Sequence, residues 1–209
     1  MASMRNGSAL LARTVASIVA MTVATISANA ASMQTPSGTK ACTIVHRDPL
    51  NNVTNPPPAD RQEIMDLLHR YNWALDESNA ALLETLFAAE SSYELCNSLL
   101  LQQDTRDGKD QILVYLDGLR TELTNSAAGT RHIESNTLLN KVDDNTVEGK
   151  STVLVTIQFS GIETPNLDYT GKLASTFTRE TDPTTNAARW KIKSLILVTD
   201  GPKIVLRAR

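Results

Sequence analysis

The sequence predicts an α+β domain: three helices packed on a strongly curved, mostly antiparallel sheet that encloses a pocket. Two observations carry this expectation. Apolar residues recur at helical spacing three times before Gly129, and from Thr130 onward the chain alternates apolar and polar residues in runs rich in Val, Ile and Thr. Four such runs follow one another through short turns, so antiparallel pairing is their simplest arrangement. Helices grouped before strands then cover one face of the sheet, and a bent sheet under helices leaves a cavity suited to a small, mostly apolar ligand. No internal repeat is visible, which removes solenoids and propellers.

Taken in order, helix one begins near Asp60, with Ile64, Leu67, Leu68, Tyr71 and Leu75 on one stripe and Asp60 and Glu63 spaced as a capping pair. Glu77-Ser78-Asn79 permits its end near Asp76. Asn79 opens a short second helix carrying Leu82, Leu83, Leu86 and Phe87. Residues 91–101 read as one irregular strand. Asp107-Gly108 breaks the chain before a third helix over 109–123, with Ile112, Leu113, Leu116 and Leu119 on its apolar side. The long strands are expected at 133–142, 146–159, 167–178 and 189–199. Turn residues separate them at 143–145, 161–166 and 182–186.

Composition narrows the function. The 209 residues are 41% hydrophobic and 21% charged, a globular mixture. A formal charge of −3, from 20 basic and 23 acidic residues, provides no field for a nucleic-acid backbone, and nine aromatics are too few for a single-strand stacking surface. Nucleic acid is not an expected partner. Cys42 and Cys96 cannot make a disulfide-rich scaffold or a four-ligand zinc site, and His46, His69 and His132 lack metal-ligand spacing. Neither a metal nor a cofactor is expected.

Residues 1–30 carry only Arg5 and Arg13 as charges, an apolar run over 15–26, and then Ala28-Asn29-Ala30, a small-x-small cleavage pattern. This reads as a secretory signal with Ala31 as the first mature residue; a mitochondrial presequence is the alternative. The run is short and Thr-rich against the roughly 20 apolar residues a membrane span needs. Cleavage removes two arginines and leaves 18 basic against 23 acidic residues, a net charge of −5. Residues 31–59 form a polar tail ending in Asn55-Pro56-Pro57-Pro58, with an N-glycosylation pattern at Asn52-Val53-Thr54. In an oxidising compartment Cys42 could pair with Cys96 and clip the tail down; two unpaired thiols, Cys96 simply buried, is the equal alternative. The domain then spans 60–201, followed by a C-terminal tail over 202–209.

Five segments in order resemble the SnoaL-like family, within the cone-shaped fold of nuclear transport factor two. They are Arg70-Tyr71-Asn72-Trp73-Ala74-Leu75-Asp76, Leu82-Leu83-Glu84-Thr85-Leu86-Phe87-Ala88, Gly108-Lys109-Asp110-Gln111-Ile112, Thr130-Arg131-His132-Ile133-Glu134-Ser135-Asn136 and Arg189-Trp190-Lys191-Ile192. The resemblance implies a cone open at one end and, as in many relatives, a homodimer. Its chemical likeness is to scytalone dehydratase and the bile-acid dehydratases. The aspartate ending helix one matches Asp76 and the histidine of the first long strand matches His132, while Tyr71 matches only the bile-acid enzymes. The second histidine of scytalone dehydratase has no counterpart in 155–159. The carboxylate base of ketosteroid isomerase would fall near Leu95, so steroid isomerisation is disfavoured.

The chemistry follows from residue type. Dehydration beside a carbonyl needs a base for the acidic C–H and an acid for the departing hydroxide, and one histidine can serve as both when a carboxylate fixes its tautomer. His132 and Asp76 are the candidate pair, with Tyr71 donating to the oxygen where negative charge develops. Trp73, three residues before Asp76, and Asn136, four residues beyond His132 on the same strand, are candidate substrate contacts. Each has a plainer reading: Tyr71 and Trp73 as core packing, Asp76 as a cap for the next helix, His132 as structural, Asn136 as a polar residue at the cone mouth. The expected function is a secreted protein binding a small apolar cyclic molecule, acting as a cofactor-independent dehydratase or isomerase. The alternative is a non-catalytic ligand-binding or dimeric interaction protein.

Overall fold

The structure, a computed structural model, describes residues 53–97, 102–162, 164–181 and 186–201. The proposed signal, Cys42, Asn52 and residues 202–209 lie outside the described residues. The elements are α1 (Pro58–Asp76), α2 (Ala80–Leu86), β1 (Phe87–Cys96), β2 (Gln102–Asp107), α3 (Lys109–Asn125), β3 (Ala128–Lys141), β4 (Thr146–Phe159), β5 (Asn166–Thr181) and β6 (Ala188–Thr199).

Helix α1 starts two residues before the expected cap, because Pro58 suits the first helical turn: its φ is preset and its missing N–H would have had no partner there. Asp60 and Glu63 do not cap the helix. Asp60 accepts a hydrogen bond from Trp190 Nε1 (3.2 Å) and pairs with Arg179, while Glu63 Oε1 accepts from the Trp190 N–H (3.1 Å). Both acids tie α1 to β5 and β6, and the Arg179 guanidinium stacks over the Trp190 ring at 4.9 Å. Asn79 does cap α2, accepting from the Leu82 N–H (3.0 Å).

Where one irregular strand was expected, β1 and β2 form an antiparallel pair, and Phe87 opens β1 instead of closing α2. The sheet order is β2-β1-β6-β5-β4-β3, antiparallel throughout except for the parallel pairing of β1 with β6. It is an open mixed sheet of six strands with β2 and β3 at its edges. The four long strands run as a consecutive meander, as the hairpin turns predict.

The three helices cover one face. Ile64, Leu68, Ile112, Phe177, Ile192 and Leu195 are fully buried between helices and sheet in a single cluster, in keeping with the helical stripes and the strand alternation. Gly171 lets β5 approach β6: a Cβ there would collide with the Val198 carbonyl oxygen. A second, small cluster of Cys96, Ile196 and Val198 lies on the opposite face of the sheet and contains no helix residue. Cys96 is disulfide-bonded.

Candidate functional site

The helices and the concave sheet face enclose a cavity of about 1030 Å³. The apolar part of its wall is built chiefly of leucine and valine, including Leu113 and Leu116 of α3, Val153 and Val155 of β4 and Leu197 of β6. All four tyrosines of the chain, Tyr71, Tyr93, Tyr115 and Tyr169, line it. His132 and Thr130 face it from β3.

Asp76 is the last residue of α1, and Glu77 and Ser78 turn the chain away, Ser78 with a φ of 57°. The helix therefore ends against β3, and the carboxylate reaches three groups of that strand. Asp76 Oδ2 accepts from the His132 backbone N–H (2.9 Å), and Oδ1 lies 2.6 Å from His132 Nδ1 and accepts from the Thr130 hydroxyl (3.2 Å). The Asp76 side chain is 5% exposed and that of His132 13%. Burial alone would raise the Asp76 pKa, but the hydrogen bonds from the His132 ring and backbone, with the ring's charge and Thr130 behind them, hold it below the ordinary 3.8. A carboxylate can only accept, so Nδ1 carries the ring's proton and the lone pair of a neutral imidazole resides on Nε2.

Tyr71, expected as core or as a hydrogen-bond donor, occupies both settings. It is buried, packs edge-on against Phe87 at 5.9 Å between ring centres, and lines the cavity. Burial, reinforced by Tyr169 and Glu134, pushes its pKa far above the ordinary 10.0, and burial likewise raises Tyr93, Tyr115 and Tyr169. These hydroxyls are neutral donors at physiological pH.

Two expected contacts are corrected. Trp73 is 58% exposed and borders a separate surface groove with His69 and Arg70. At 100° per residue it lies 200° around α1 from Tyr71, opposite the buried stripe. Asn136 is exposed and lies outside the cavity wall. It takes a φ of 55° at a bulge between Ser135 and Leu138, where β3 spends one more residue than β4, so the alternation that orients His132 shifts phase before Asn136.

Sequence reasoning missed Glu134 and Asn72. Glu134 Oε2 accepts from Asn72 Nδ2 (2.9 Å) and Oε1 from the Ser151 hydroxyl (2.6 Å), while Asn72 is buried and lines the cavity. The available signal was strand parity, since Glu134 lies two residues from His132 and before the bulge. Tyr93, Tyr115 and Tyr169 were also missed; only the fold brings three strand and helix residues from distant segments together. Among the described residues, no group of three His, Cys, Asp or Glu side chains could hold a metal ion.

A helix-covered open sheet with a deep, mostly apolar cavity and a part-buried His–Asp pair in its wall defines the cone-shaped α+β class. The chain belongs to the SnoaL-like domain family, whose profile matches residues 58–196. No curated protein matches the sequence significantly. Solved structures agree on the fold. A candidate scytalone dehydratase from Novosphingobium aromaticivorans is 20% identical, covers 72% of this chain and 91% of its own, and has a TM-score of 0.55. An NTF2-like protein with a cystatin-like fold from the same organism is also 20% identical, over 70% and 85% of the two chains, with a TM-score of 0.55. Aln2 from a Streptomyces species is 17% identical over 69% and 93%, with a TM-score of 0.57.

Proposed function

We propose that the protein is a cofactor-independent dehydratase or isomerase acting on a small, largely apolar cyclic molecule that carries a carbonyl. The observation that carries this reading is the 2.6 Å contact of His132 Nδ1 with Asp76 Oδ1 in the wall of the tyrosine-lined cavity. Nε2 takes the C–H proton beside the carbonyl, and Asp76 steadies the imidazolium that forms. The tyrosine hydroxyls, kept protonated by burial, donate to the carbonyl oxygen as it becomes an enolate. The imidazolium then returns its proton to the departing hydroxyl, which leaves as water, and a C=C bond replaces the C–H and C–O bonds. The scytalone dehydratase candidate among the structural relatives supports the reaction class.

The test is turnover of β-hydroxy cyclic ketones by the wild type, His132→Ala and Asp76→Asn. His132→Ala is expected to lower kcat by about 10²–10⁴-fold, and Asp76→Asn to lower it with KM little changed. Turnover left intact by both substitutions would refute the mechanism. A second reading is favoured by Val155, which pairs with His132 across β3 and β4 and presents an apolar wall on the strand that carries a second histidine in scytalone dehydratase. There the cone binds the same class of ligand without turning it over, and a retained ligand in native mass spectrometry with no reaction in any variant supports it.

Secretion is part of the proposal. It rests on the charge-poor, apolar first thirty residues and Ala28-Asn29-Ala30. Sequencing the N-terminus of the exported protein is expected to begin at Ala31, and a mature protein recovered from mitochondria would reject the secretory reading.

A further inference from the structure

Two rungs of polar contact join α1 to β3. Asn72 and Asp76 are four residues apart on α1, so they share a face one turn, about 6 Å, apart. Glu134 and His132 are two residues apart on β3, before the bulge, so they share a face at about 6.5 Å. The two spacings agree, and each helix residue meets a strand residue: Asp76 Oδ1 meets His132 Nδ1, and Asn72 Nδ2 donates to Glu134 Oε2 (2.9 Å). The proposed reaction uses the first rung and leaves the second without a role.

The second rung fixes the direction of an amide. Both Glu134 oxygens accept, Oε2 from Asn72 and Oε1 from the Ser151 hydroxyl (2.6 Å), so the Asn72 nitrogen faces Glu134 and its oxygen faces away. Asn72 is 7% exposed, and no described residue donates to its Oδ1. That oxygen is not sealed in, because Ser91 Oγ is the one fully enclosed side-chain oxygen or nitrogen without a partner among the described residues. The space that Asn72 borders is the cavity. A buried acceptor left without a donor costs stability, and a ligand donor supplies the missing hydrogen bond.

We infer that Asn72 is a specificity-determining residue whose Oδ1 accepts a hydrogen bond from a ligand hydroxyl, one rung or about 6 Å from His132, and that Glu134, supported by Ser151, is its positioning residue. The inference rests on the ligand reading proposed above, and it makes that ligand a carbonyl-bearing ring system with a hydroxyl besides any that leaves. The oxygen discriminates because it only accepts. The tyrosine and threonine hydroxyls of the wall turn to donate or to accept, so they take either kind of ligand group. Among the acids of the wall, Glu84, Asp117 and Glu122 are exposed to water and Asp168 holds a contact of its own. An ether or a bare ring at the second rung leaves Asn72 Oδ1 unpaired, whereas a hydroxyl satisfies it.

The test is equilibrium binding by titration calorimetry of the full chain with tetralone, the hydroxytetralones bearing a phenolic hydroxyl at each aromatic position, and their methyl ethers. A phenolic hydroxyl is no leaving group here, so binding is read without turnover. One hydroxytetralone is expected to bind the wild type at least tenfold more tightly than both its methyl ether and tetralone. In Asn72→Leu the three should bind within about twofold of one another, with tetralone held as tightly as before. In Glu134→Gln the Asn72 amide is free to turn and present its N–H, so the preference should fall at least threefold and the methyl ether should gain affinity. A merely structural Glu134 would weaken all three ligands alike. Glu134→Gln keeps Asn72 in place, so a folding failure of Asn72→Leu does not remove the test. No preference in the wild type, a preference that survives Asn72→Leu, or an equal loss for all three ligands in Glu134→Gln would each overturn the inference and leave the His132 reaction untouched. Binding of none of these ligands would instead reject the ligand class proposed above, and this subsite with it.

Discussion

At the scale of single residues, Asp76 shows how little of a site depends on the residue alone. Its carboxyl is held below the ordinary 3.8 only because α1 stops where β3 can offer a ring nitrogen, a backbone N–H and a hydroxyl. A carboxyl with a lowered folded pKa adds stability above its unfolded value and loses it as the pH falls through the folded one. Asp76→Asn is therefore expected to cost about 1–3 kcal/mol at pH 7. The gap to wild type should narrow below about pH 4 in urea titrations. An equal gap at pH 7 and pH 3 would contradict the depressed carboxyl. Asn136 makes a second test. A β-branched residue resists a φ of 55° where Asn and Gly accept it, so Asn136→Val should destabilise by about 1–3 kcal/mol and Asn136→Gly by much less. Neither should alter ligand affinity, because Asn136 lies outside the cavity wall.

At the scale of elements, legibility followed period. The three helices and the four long strands have periods long enough to read, and their bounds fall within three residues of the expected ones except at the start of β3, which begins at Ala128, five residues before the expected 133, and so takes in Thr130 and His132. The strand expected over residues 91–101 was misplaced because β1 is irregular: its register shifts between Leu95 and Cys96 against β2, and between Phe87 and Ser92 against β6. A period cannot be read through such shifts. The same limit misplaced Asn136, whose four-residue offset from His132 implies a shared face only on an uninterrupted strand. The parallel pairing of β1 with β6 is invisible in sequence, since it joins segments about 100 residues apart. Where β5 and β6 approach each other at Gly171, any side chain meets backbone. Gly171→Ala is expected to lower stability by about 1–3 kcal/mol in thermal or denaturant unfolding, whereas Gly118→Ala on α3, where an added Cβ meets open space, should be neutral or stabilising.

At the scale of the whole molecule, the cavity and the core are two parts of one concave face. Phe177 and Ile192 fill the closed part, while the tyrosines and His132 line the open part. Phe177→Ala removes a fully buried ring and should cost about 3–5 kcal/mol. The two tryptophans report on opposite environments, Trp190 being 3% exposed and Trp73 58%. Iodide should quench Trp73 emission selectively, and a ligand in the cavity should leave that quenching unchanged. Protection of Trp73 by ligand would move the binding site to the surface groove beside His69.

From the amino-acid order alone come the class of fold, the helical stripes, the meander of long strands, the family, and the three residues Tyr71, Asp76 and His132. These depend on local period and on spacing along one chain, which sequence records directly. Folding in three dimensions is what makes Asp76 meet His132 through both its ring and its backbone, gathers Tyr93, Tyr115 and Tyr169 with Tyr71 around one cavity, and lets Glu134 fix Asn72. It also turns Trp73 outward and moves Asn136 off the cavity face. Those outcomes depend on where a helix stops, where a strand bulges and which distant strands pair, and each is set by packing energies summed over the whole domain.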